Sequence, residues 1–296
     1  MMKKIAVIGA GTMGNGISHV LAQHGYDTHL IDLSQESLNR GMTTIDKNLD
    51  RMLAKELIGE TDKKNTLQKI STFTSLAEGV KGVDLVIEAA TENTELKLRI
   101  FGDLDRICPD STILATNTSS ISITQIAAAT KRSDKVIGMH FMNPVPIMKL
   151  VEVIRGYNTS DLVTETIMDL SKKLGKIPVS AHDYPGFVAN RILMPMINEA
   201  IETLYNRVAG VVEIDTVMKL GMAHPMGPLQ LADFIGLDVC LSILDVMYQG
   251  FKNPKYAPCP LLANMVMAGK LGVKSKEGFY DYSLSPRAET VSAQFR

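Results

Sequence analysis

The chain has 296 residues, of which 45% are hydrophobic and 21% are charged, a composition typical of folded rather than disordered proteins. At roughly 100–200 residues per domain, this length favours two domains, although a single α/β barrel would also fit. The 31 basic and 32 acidic residues give a formal net charge of −1, which argues against nucleic acid as a partner. An anionic ligand must therefore be bound locally, by backbone amides or a few placed cations.

Cysteine usage and hydropathy bear on the compartment. Cys108, Cys240 and Cys259 are too few for a disulfide framework and lack the spacing of metal ligands, which favours a reducing environment. The apolar start is interrupted at Gly9-Ala10-Gly11, and no apolar run approaches the roughly 18 residues that span a bilayer. These features predict a cytoplasmic protein with no membrane partner and no bound metal.

The first half of the chain alternates short β-branched runs with helical patterns, which predicts βαβ units and an α/β domain with a mostly parallel sheet. Strands are predicted at Ile5–Ile8, Thr28–Ile31, Leu85–Glu88, Ile113–Ala115, Val136–Met139 and Leu150–Ile154. A helix is predicted over Thr94–Ile107, where apolar residues recur on one face. Another, Asn39–Leu57, is rich in Lys and Arg and belongs to a helical excursion from the sheet at about residues 39–68.

The rhythm changes after about residue 183, where Pro185-Gly186 interrupts the chain and apolar residues follow helical spacing only. A broad apolar stripe begins at Ile192. Further helices are predicted at Ile214–Leu220, Leu229–Met247 and Leu261–Ala268. The expected organisation is an α/β domain over 1–183 followed by an all-α domain over 184–296.

A glycine-rich motif follows the first predicted strand. Gly9-Ala10-Gly11-Thr12-Met13-Gly14 matches G-x-G-x-x-G and opens a helical pattern, and the second strand ends at Asp32. In a Rossmann-type domain Gly9 allows the tight turn, Gly11 the approach of a pyrophosphate, and Gly14 close packing of helix on strand. Amides at the start of the helix, at Thr12 and Met13, favour bound negative charge. Asp32 suits ribose hydroxyls and repels a 2′-phosphate, which predicts NAD rather than NADP; the alternative is a structural turn beside a surface aspartate.

Two ionisable residues lie in or beside apolar strands. His140 follows Val136–Met139, where a strand gives way to a loop, and Glu152 is embedded in Leu150–Ile154. A buried acid needs a partner, and His140 is the nearest candidate able to hold a proton opposite it. The alternatives are an ordinary histidine without a catalytic role and an edge-strand glutamate that faces water.

Polar residues occur at two other element ends. Asn117-Thr118-Ser119-Ser120 follows a predicted strand, and Asn190 lies at the start of the first helix of the second domain. Ser119 and Asn190 are therefore candidates for binding a ligand, Asn190 from the side of an interdomain cleft. Helix capping is the alternative in both places.

Together these segments resemble the L-3-hydroxyacyl-CoA dehydrogenase family, and within it the short bacterial 3-hydroxybutyryl-CoA dehydrogenases. The resemblance covers nearly the whole chain. The motifs that carry it are Gly9–Gly16, Asn117–Ser120, His140–Pro146 with Lys149–Glu152, Pro185–Phe187 with Asn190-Arg191, His224–Pro228 and Gly278–Tyr280.

The resemblance implies NAD-dependent oxidation of an L-3-hydroxyacyl-CoA to the 3-oxoacyl-CoA, and the reverse reduction. His140 corresponds to the general base and Glu152 to the acid that orients it. Ser119 and Asn190 correspond to groups that hold the substrate oxygen and thioester.

Cofactor contacts are also implied by the resemblance. Glu92 and Lys97 are expected near the nicotinamide ribose, and Ser119, Asn143 and Lys274 complete the cofactor pocket. Without the resemblance, Glu92 and Lys97 would be first-turn helix charges and Lys274 a solvated lysine.

The basic helix resembles the family's contact with the CoA nucleotide. Lys47, Arg51 and Lys55 recur at four-residue spacing on one face, although a solvated helix would show the same charges. Relatives commonly carry a Lys-Gly-Lys turn where this chain has Lys55–Glu60, so the phosphate ligands on this helix stay open.

Two other functions remain in view: a β-hydroxyacid dehydrogenase that uses a lysine from its helical domain, and a non-catalytic NAD-binding structural protein of the same fold, as in eye lens. The pairing of His140 with Glu152 argues against the first. The candidate set as a whole argues against the second; its members are Ser119, His140, Glu152 and Asn190. The broad apolar helices after residue 183, together with family precedent, predict a homodimer through the helical domain.

Overall fold

The computed structural model describes residues 2–296, and the chain divides into two compact units, one ending at Tyr184 and the other running from Pro185 to Arg296. The strands of the first unit are β1 (Lys4–Ile8), β2 (Asp27–Ile31), β3 (Ile70–Phe73), β4 (Leu85–Glu88), β5 (Ile113–Thr116), β6 (Val136–Phe141), β7 (Leu150–Arg155) and β8 (Ile177–His182). Over the described residues they form one sheet in the order β3-β2-β1-β4-β5-β6-β7-β8.

Strands β1 to β6 run parallel, whereas β7 is antiparallel to β6 and β8 runs parallel to β7. The predicted mostly parallel sheet is confirmed. The strand order reverses between β1 and β4, and such a reversal opens a crevice beyond the carboxyl ends of the strands. The loops that follow β1, β4, β5 and β6 therefore lie along one edge of the sheet.

The helices of the first unit are α1 (Thr12–Gln23), α2 (Gln35–Ala54), α3 (Glu60–Gln68), α4 (Leu76–Gly79), α5 (Thr94–Ile107), α6 (Ile123–Ala127) and α7 (Asp161–Lys173). All residues of β4 and β5 are buried, as expected of parallel strands covered on both faces. The basic helix predicted from Asn39 is α2, which begins four residues earlier because Ser34 caps it by accepting the Ser37 N–H.

The second unit is helical, as predicted, with α8 (Ala189–Tyr205), α9 (Val211–Thr216), α10 (Pro228–Ile235), α11 (Leu237–Phe251) and α12 (Pro260–Met267). It also contains a two-stranded ribbon, β9 (Tyr280–Asp281) with β10 (Thr290–Val291). Apolar residues of these helices form a core of their own. Of the helices in residues 2–296, none is both long and apolar enough to cross a membrane.

The predicted single helix Leu229–Met247 is wrong. It is two helices, α10 and α11, because Gly236 between them has φ +102°, a backbone conformation that ends a right-handed helix. The helix predicted over Ile214–Leu220 begins earlier, at Val211, and its last turn, Val217–Gly221, is a π-helix.

Candidate active site

The loop after β1 has the backbone that its glycines predict. Gly9 has φ +97°, and a Cβ there would lie 2.7 Å from the Ala89 carbonyl oxygen. A Cβ on Gly14 would lie 1.7 Å from the Gly9 carbonyl oxygen, whereas a Cβ on Gly11 would meet no protein atom within 4 Å. Gly9 and Gly14 are therefore required by the protein's own packing, and Gly11 leaves open space.

The start of α1 is suited to an anion. Its N-cap is Gly11, no side chain caps it, and its first turn holds no acidic residue. The first amides of the helix are thus available to a ligand, and the helix dipole favours a negative one. A concavity of about 220 Å³ lies here, lined by Gly11, Thr12, Ser37 and Arg40 among others.

Asp32 lies directly after β2, beside the glycine loop. Its Oδ2 accepts the Ala10 N–H (2.9 Å), and its Oδ1 accepts the Ser34 N–H (3.0 Å). These bonds fix the carboxylate against the loop that would hold the pyrophosphate. A fixed carboxylate at this place is suited to ribose hydroxyls and repels a 2′-phosphate.

Glu92, in the loop after β4, organises the loop after β5. Its Oε1 accepts hydrogen bonds from the Thr118 hydroxyl (2.6 Å), the Ser119 N–H (2.9 Å) and the Ser120 N–H (3.1 Å). The hydroxyls of Ser119 and Ser120 add bonds to the same oxygen. Burial would raise the pKa of Glu92, but the Lys97 ammonium and these hydrogen bonds outweigh it and hold the pKa below its ordinary value.

Lys97 lies beneath this loop and is buried. Its Nζ is 2.7 Å from Glu88 Oε1 and 3.4 Å from Glu92 Oε2. Glu88, at the end of β4, also accepts the Thr116 hydroxyl at 2.7 Å. Because Lys97 is 1% exposed, its ammonium supports Glu92 from inside the protein. The sequence prediction placed both residues near the nicotinamide ribose, and that contact stays a prediction.

His140 and Glu152 are directly opposite each other in the antiparallel pairing of β6 with β7. His140 Nδ1 and Glu152 Oε2 are 2.8 Å apart, and the two residues are 8% and 2% exposed. β7 is an interior strand of the sheet, so the alternative of an edge-strand glutamate facing water is excluded. His140 is the fifth residue of β6, because that strand continues to Phe141 rather than ending at Met139.

Asn117 fixes the end of β6 from the neighbouring loop. Its Oδ1 accepts the Phe141 N–H (2.9 Å), and its own N–H donates to the Glu88 carbonyl oxygen (2.7 Å). The backbone beside His140 is thereby tied to the β4 and β5 ends. The sequence identifies Asn117 only as part of a motif, since nothing in it shows which backbone amide the side chain contacts.

The other candidate residues are distributed over both units. In the first unit Asn143 is exposed in the β6–β7 loop, and the basic side chains Lys47, Arg51 and Lys55 are exposed along α2 and its C-cap. In the second unit Asn190 is buried in the first turn of α8, and Lys274 Nζ lies 2.6 Å from Asp238 Oδ2. Their roles toward a cofactor or a CoA thioester stay predictions.

The sequence profile of the 3-hydroxyacyl-CoA dehydrogenase NAD-binding domain matches residues 4–184, and that of the family's C-terminal domain matches residues 186–282. The chain belongs to the 3-hydroxyacyl-CoA dehydrogenase family. The family resemblance inferred from the motifs is thereby confirmed.

Relatives in this family extend over almost the whole chain. A protein of Bacillus subtilis named probable 3-hydroxybutyryl-CoA dehydrogenase is 53% identical over 281 residues, which cover 95% of this chain and 98% of the relative. The human mitochondrial hydroxyacyl-coenzyme A dehydrogenase is 43% identical over 289 residues, with 95% and 92% covered. The crystal structure of (S)-3-hydroxybutyryl-CoA dehydrogenase from Ralstonia eutropha superimposes with a TM-score of 0.93 at 49% identity, covering 96% of this chain and all of that one.

Membership in the 3-hydroxyacyl-CoA dehydrogenase family makes the first unit an NAD-binding domain and the protein an NAD-dependent oxidoreductase. The residues present fit that cofactor. Open space at Gly11, an uncapped helix start and the fixed Asp32 carboxylate match a pyrophosphate followed by a ribose. Among residues 2–296 no group of three or more His, Cys, Asp or Glu side chains is arranged to hold a metal.

Proposed function

We propose that the protein oxidises the 3-hydroxyl of short L-3-hydroxyacyl-CoA thioesters, with 3-hydroxybutyryl-CoA as the principal substrate, and reduces the 3-oxo thioester in the reverse direction. The observation that carries this proposal is the buried hydrogen bond between His140 and Glu152 at the carboxyl end of the NAD-binding sheet. The names of the relatives supply the substrate class.

His140 is proposed as the general base. With Nδ1 bound to Glu152, the imidazole exchanges a proton with the substrate through Nε2, and the carboxylate stabilises the imidazolium that forms. In oxidation His140 removes the hydroxyl proton. NAD⁺, held by the glycine loop and Asp32, would supply the hydride-accepting chemistry. In reduction the imidazolium returns that proton to the developing alkoxide. General acid–base help of this kind contributes roughly 10²–10⁴-fold in rate.

Ser119 is proposed to hold the reacting oxygen. Its hydroxyl contacts Glu92, whose pKa is held low, so Glu92 is ionised near neutral pH and fixes the position of the serine loop. In this structure the Ser119 hydroxyl donates to Glu92 over a long 3.3 Å, and its proposed role requires it to rotate and donate instead to the substrate oxygen on which negative charge develops.

Steady-state kinetics with NADH test the proposal. Acetoacetyl-CoA is expected to be reduced. Comparison of kcat/KM for 3-oxoacyl-CoA thioesters from C4 to C16 shows which acyl-chain length the enzyme prefers. NADPH is expected to be a poor donor because of Asp32. Free β-hydroxy acids with NAD⁺ serve as the control substrates. Turnover of the free acids without turnover of any CoA thioester would reject the proposal.

We also propose a homodimer through the second unit and a cytoplasmic location. The second unit exposes large apolar side chains at Ile192, Val208, Leu220 and Met267, each more than two-thirds exposed. Apolar exposure on this scale favours a protein partner. The three cysteines are buried and unpaired, as suits a reducing compartment.

A further inference from the structure

A buried lysine joins the start of β8 to the loop between the two strands of the His140–Glu152 pair. Lys176 directly precedes β8, is 8% exposed, and donates from Nζ to the carbonyl oxygens of Val145 (2.5 Å) and Met148 (2.8 Å). The Ile177 N–H adds a bond to the Lys149 carbonyl oxygen (2.7 Å). Two of these three bonds depend on one ammonium group.

Burial of the Lys176 ammonium is energetically unfavourable. No carboxylate of the described residues forms an ion pair with Lys176, and burial lowers the pKa of the ammonium. A buried charge without a counter-charge is unfavourable, and an apolar side chain of similar volume would avoid that penalty. The bonds to the two loop carbonyls are therefore what this charge contributes to the fold.

The neighbouring titratable group does not share the role. His19 on α1 faces Lys176 and His24, is fully buried, and has no hydrogen-bond partner on either ring nitrogen within residues 2–296. Burial, the Lys176 charge and His24 lower the pKa of His19 to about 4. His19 is therefore neutral near pH 7, and Lys176 carries the positive charge here.

The loop held by Lys176 connects the parts of the candidate site. Residues 142–149 start shortly after His140 and end shortly before Glu152, and they include Asn143. The same loop packs on α1, because a Cβ on Gly16 would lie 2.9 Å from the Val145 Cβ. The N-terminus of α1 carries the amides proposed for the cofactor pyrophosphate. A shift of this loop would thus move His140, Glu152 and Asn143 relative to the cofactor site.

We propose that Lys176 is a positioning residue for the dehydrogenase reaction, an inference that rests on the proposed function. Its ammonium holds the β6–β7 loop against α1 and so fixes His140, Glu152 and Asn143 relative to the glycine loop. Catalysis is sensitive to small misplacements of this kind, and a shift of about 1 Å costs on the order of 10²-fold in rate.

The test compares Lys176→Met, which removes the charge and keeps most of the volume, with Lys176→Arg, which keeps a charged donor. Lys173→Met is the matched control, since Lys173 is an exposed lysine at the end of α7. For each folded variant, kcat and KM with acetoacetyl-CoA are measured well below its Tm, and the NADH Kd is measured by calorimetry without substrate.

We expect Lys176→Met to lower kcat by about tenfold or more and to weaken NADH binding several-fold. Lys176→Arg is expected to recover most of kcat, and Lys173→Met is expected to match wild type.

A folded Lys176→Met protein with kcat and NADH Kd within twofold of wild type would overturn the proposal, even if its Tm fell. If Lys176→Met does not fold, Lys176→Gln replaces it, and equal kcat for wild type and the Arg and Gln variants overturns the proposal. If wild type turns over no CoA thioester, the proposed function fails, and Lys176 is judged by NADH Kd alone: an unchanged Kd in Lys176→Met overturns its role.

Discussion

His140 and Glu152 owe their contact to register as much as to chemistry. In an antiparallel pair, opposite residues place their side chains on the same face of the sheet about 5 Å apart, and β6 and β7 bring these two residues into that relation. Their hydrogen bond lies in the interior of the sheet, where both side chains are shielded from water. A charge-assisted bond under such shielding is stronger than its surface counterpart.

Replacing Glu152 by Gln tests the charge of the pair without removing its bulk. The amide can still bond to Nδ1, but it cannot stabilise the imidazolium, so we expect kcat to fall by roughly 10²-fold or more while the NADH Kd stays within a few-fold. Steady-state kinetics and calorimetry give both values. Glu165→Gln, at an exposed position of α7, is the control. Equal kcat for the two variants would remove Glu152 from the proton-transfer step.

The sequence predicts the individual members of this pair, because an acid inside an apolar strand needs a partner. It did not predict Lys176 or Asn117 as positioning groups. Their partners are backbone carbonyl and amide groups more than 20 residues away, and such contacts leave no pattern in side-chain identity. Lys97 Nζ lies 2.7 Å from Glu88 Oε1, and its contact with the cofactor stays a prediction.

Two glycines in the turn between β1 and α1 have different surroundings. Gly14→Ala would place a methyl group 1.7 Å from a backbone oxygen, whereas Gly11→Ala meets no protein atom within 4 Å. We expect Gly14→Ala to lower the Tm strongly or prevent folding. We expect Gly11→Ala to keep a Tm near wild type and to weaken NADH binding by about tenfold or more, because the methyl group occupies space left for the pyrophosphate.

Thermal unfolding and calorimetry with NADH distinguish the two glycine variants. Gly25→Ala is unsuitable as a control because Gly25 has a positive φ. Gly102→Ala on α5 is used instead, since a Cβ there would come no nearer than 3.7 Å to a neighbouring atom. Tight NADH binding by Gly11→Ala would show that the pyrophosphate does not lie over this glycine.

Two buried aspartates join the elements of the second unit. Asp233, on α10, accepts the N–H groups of Phe279 (3.0 Å) and Tyr280 (2.9 Å) and the Tyr282 hydroxyl (3.1 Å). Burial, with a contribution from the Asp215 charge, raises the pKa of Asp233 to about 6 against the opposing effect of these hydrogen bonds. The protonated form is therefore favoured by folding.

This pKa shift has a definite sign for stability. The folded-state pKa lies above the ordinary 3.8, so the stabilising contribution of protonation is complete below about pH 4 and is lost as the pH rises through 6. A shift of this size corresponds to about 3 kcal/mol. Relative to Asp233→Asn, wild type is expected to gain stability as the pH falls from 7.5 to 4.

Denaturant unfolding of wild type, Asp233→Asn and the exposed control Asp245→Asn across this pH range measures the effect. The variants are compared by how steeply the free energy of unfolding changes with pH. The loss of hydrogen bonds in the Asn variant shifts that free energy by the same amount at every pH and leaves the slope unchanged. Parallel curves for wild type and Asp233→Asn would show that Asp233 is not the titrating group.

The sequence patterns do not reveal strands β3 and β8, and both lie at an edge of the sheet. Strand β3 has two exposed polar residues, Ser71 and Thr72, and lies at one edge of the sheet; β8, at the other edge, contains Pro178 and is mostly exposed. Edge strands lack the continuous apolar run of buried parallel strands. The split between α10 and α11 was missed because apolar spacing continues through Gly236 and only the positive φ interrupts it.

A net charge of −1 is compatible with the proposed binding of two anionic ligands, NAD and a CoA thioester. NAD is matched by the uncapped N-terminus of α1, which supplies backbone amides rather than cations. A CoA nucleotide would meet exposed cations on α2, as proposed from the resemblance. Binding of both ligands would then depend on locally placed amides and cations rather than on a basic surface, which stays a prediction.

The proposed homodimer is a property of the whole molecule as well. Sedimentation velocity at micromolar concentration is expected to give about twice the mass of 32.4 kDa. A Leu220→Lys, Ile192→Lys double variant places charges on two exposed apolar positions and is expected to favour monomer, with Leu162→Lys in the first unit as the control. A stable monomer for wild type would contradict the proposed assembly.

His140 is the residue proposed to transfer the proton in NAD-linked oxidation of a 3-hydroxyacyl-CoA. The most direct measurement is kcat for acetoacetyl-CoA reduction by wild type and His140→Gln, together with the NADH Kd of each. We predict that kcat falls by roughly 10²–10⁴-fold with NADH Kd nearly unchanged. A His140→Gln protein that keeps full activity would contradict the claim.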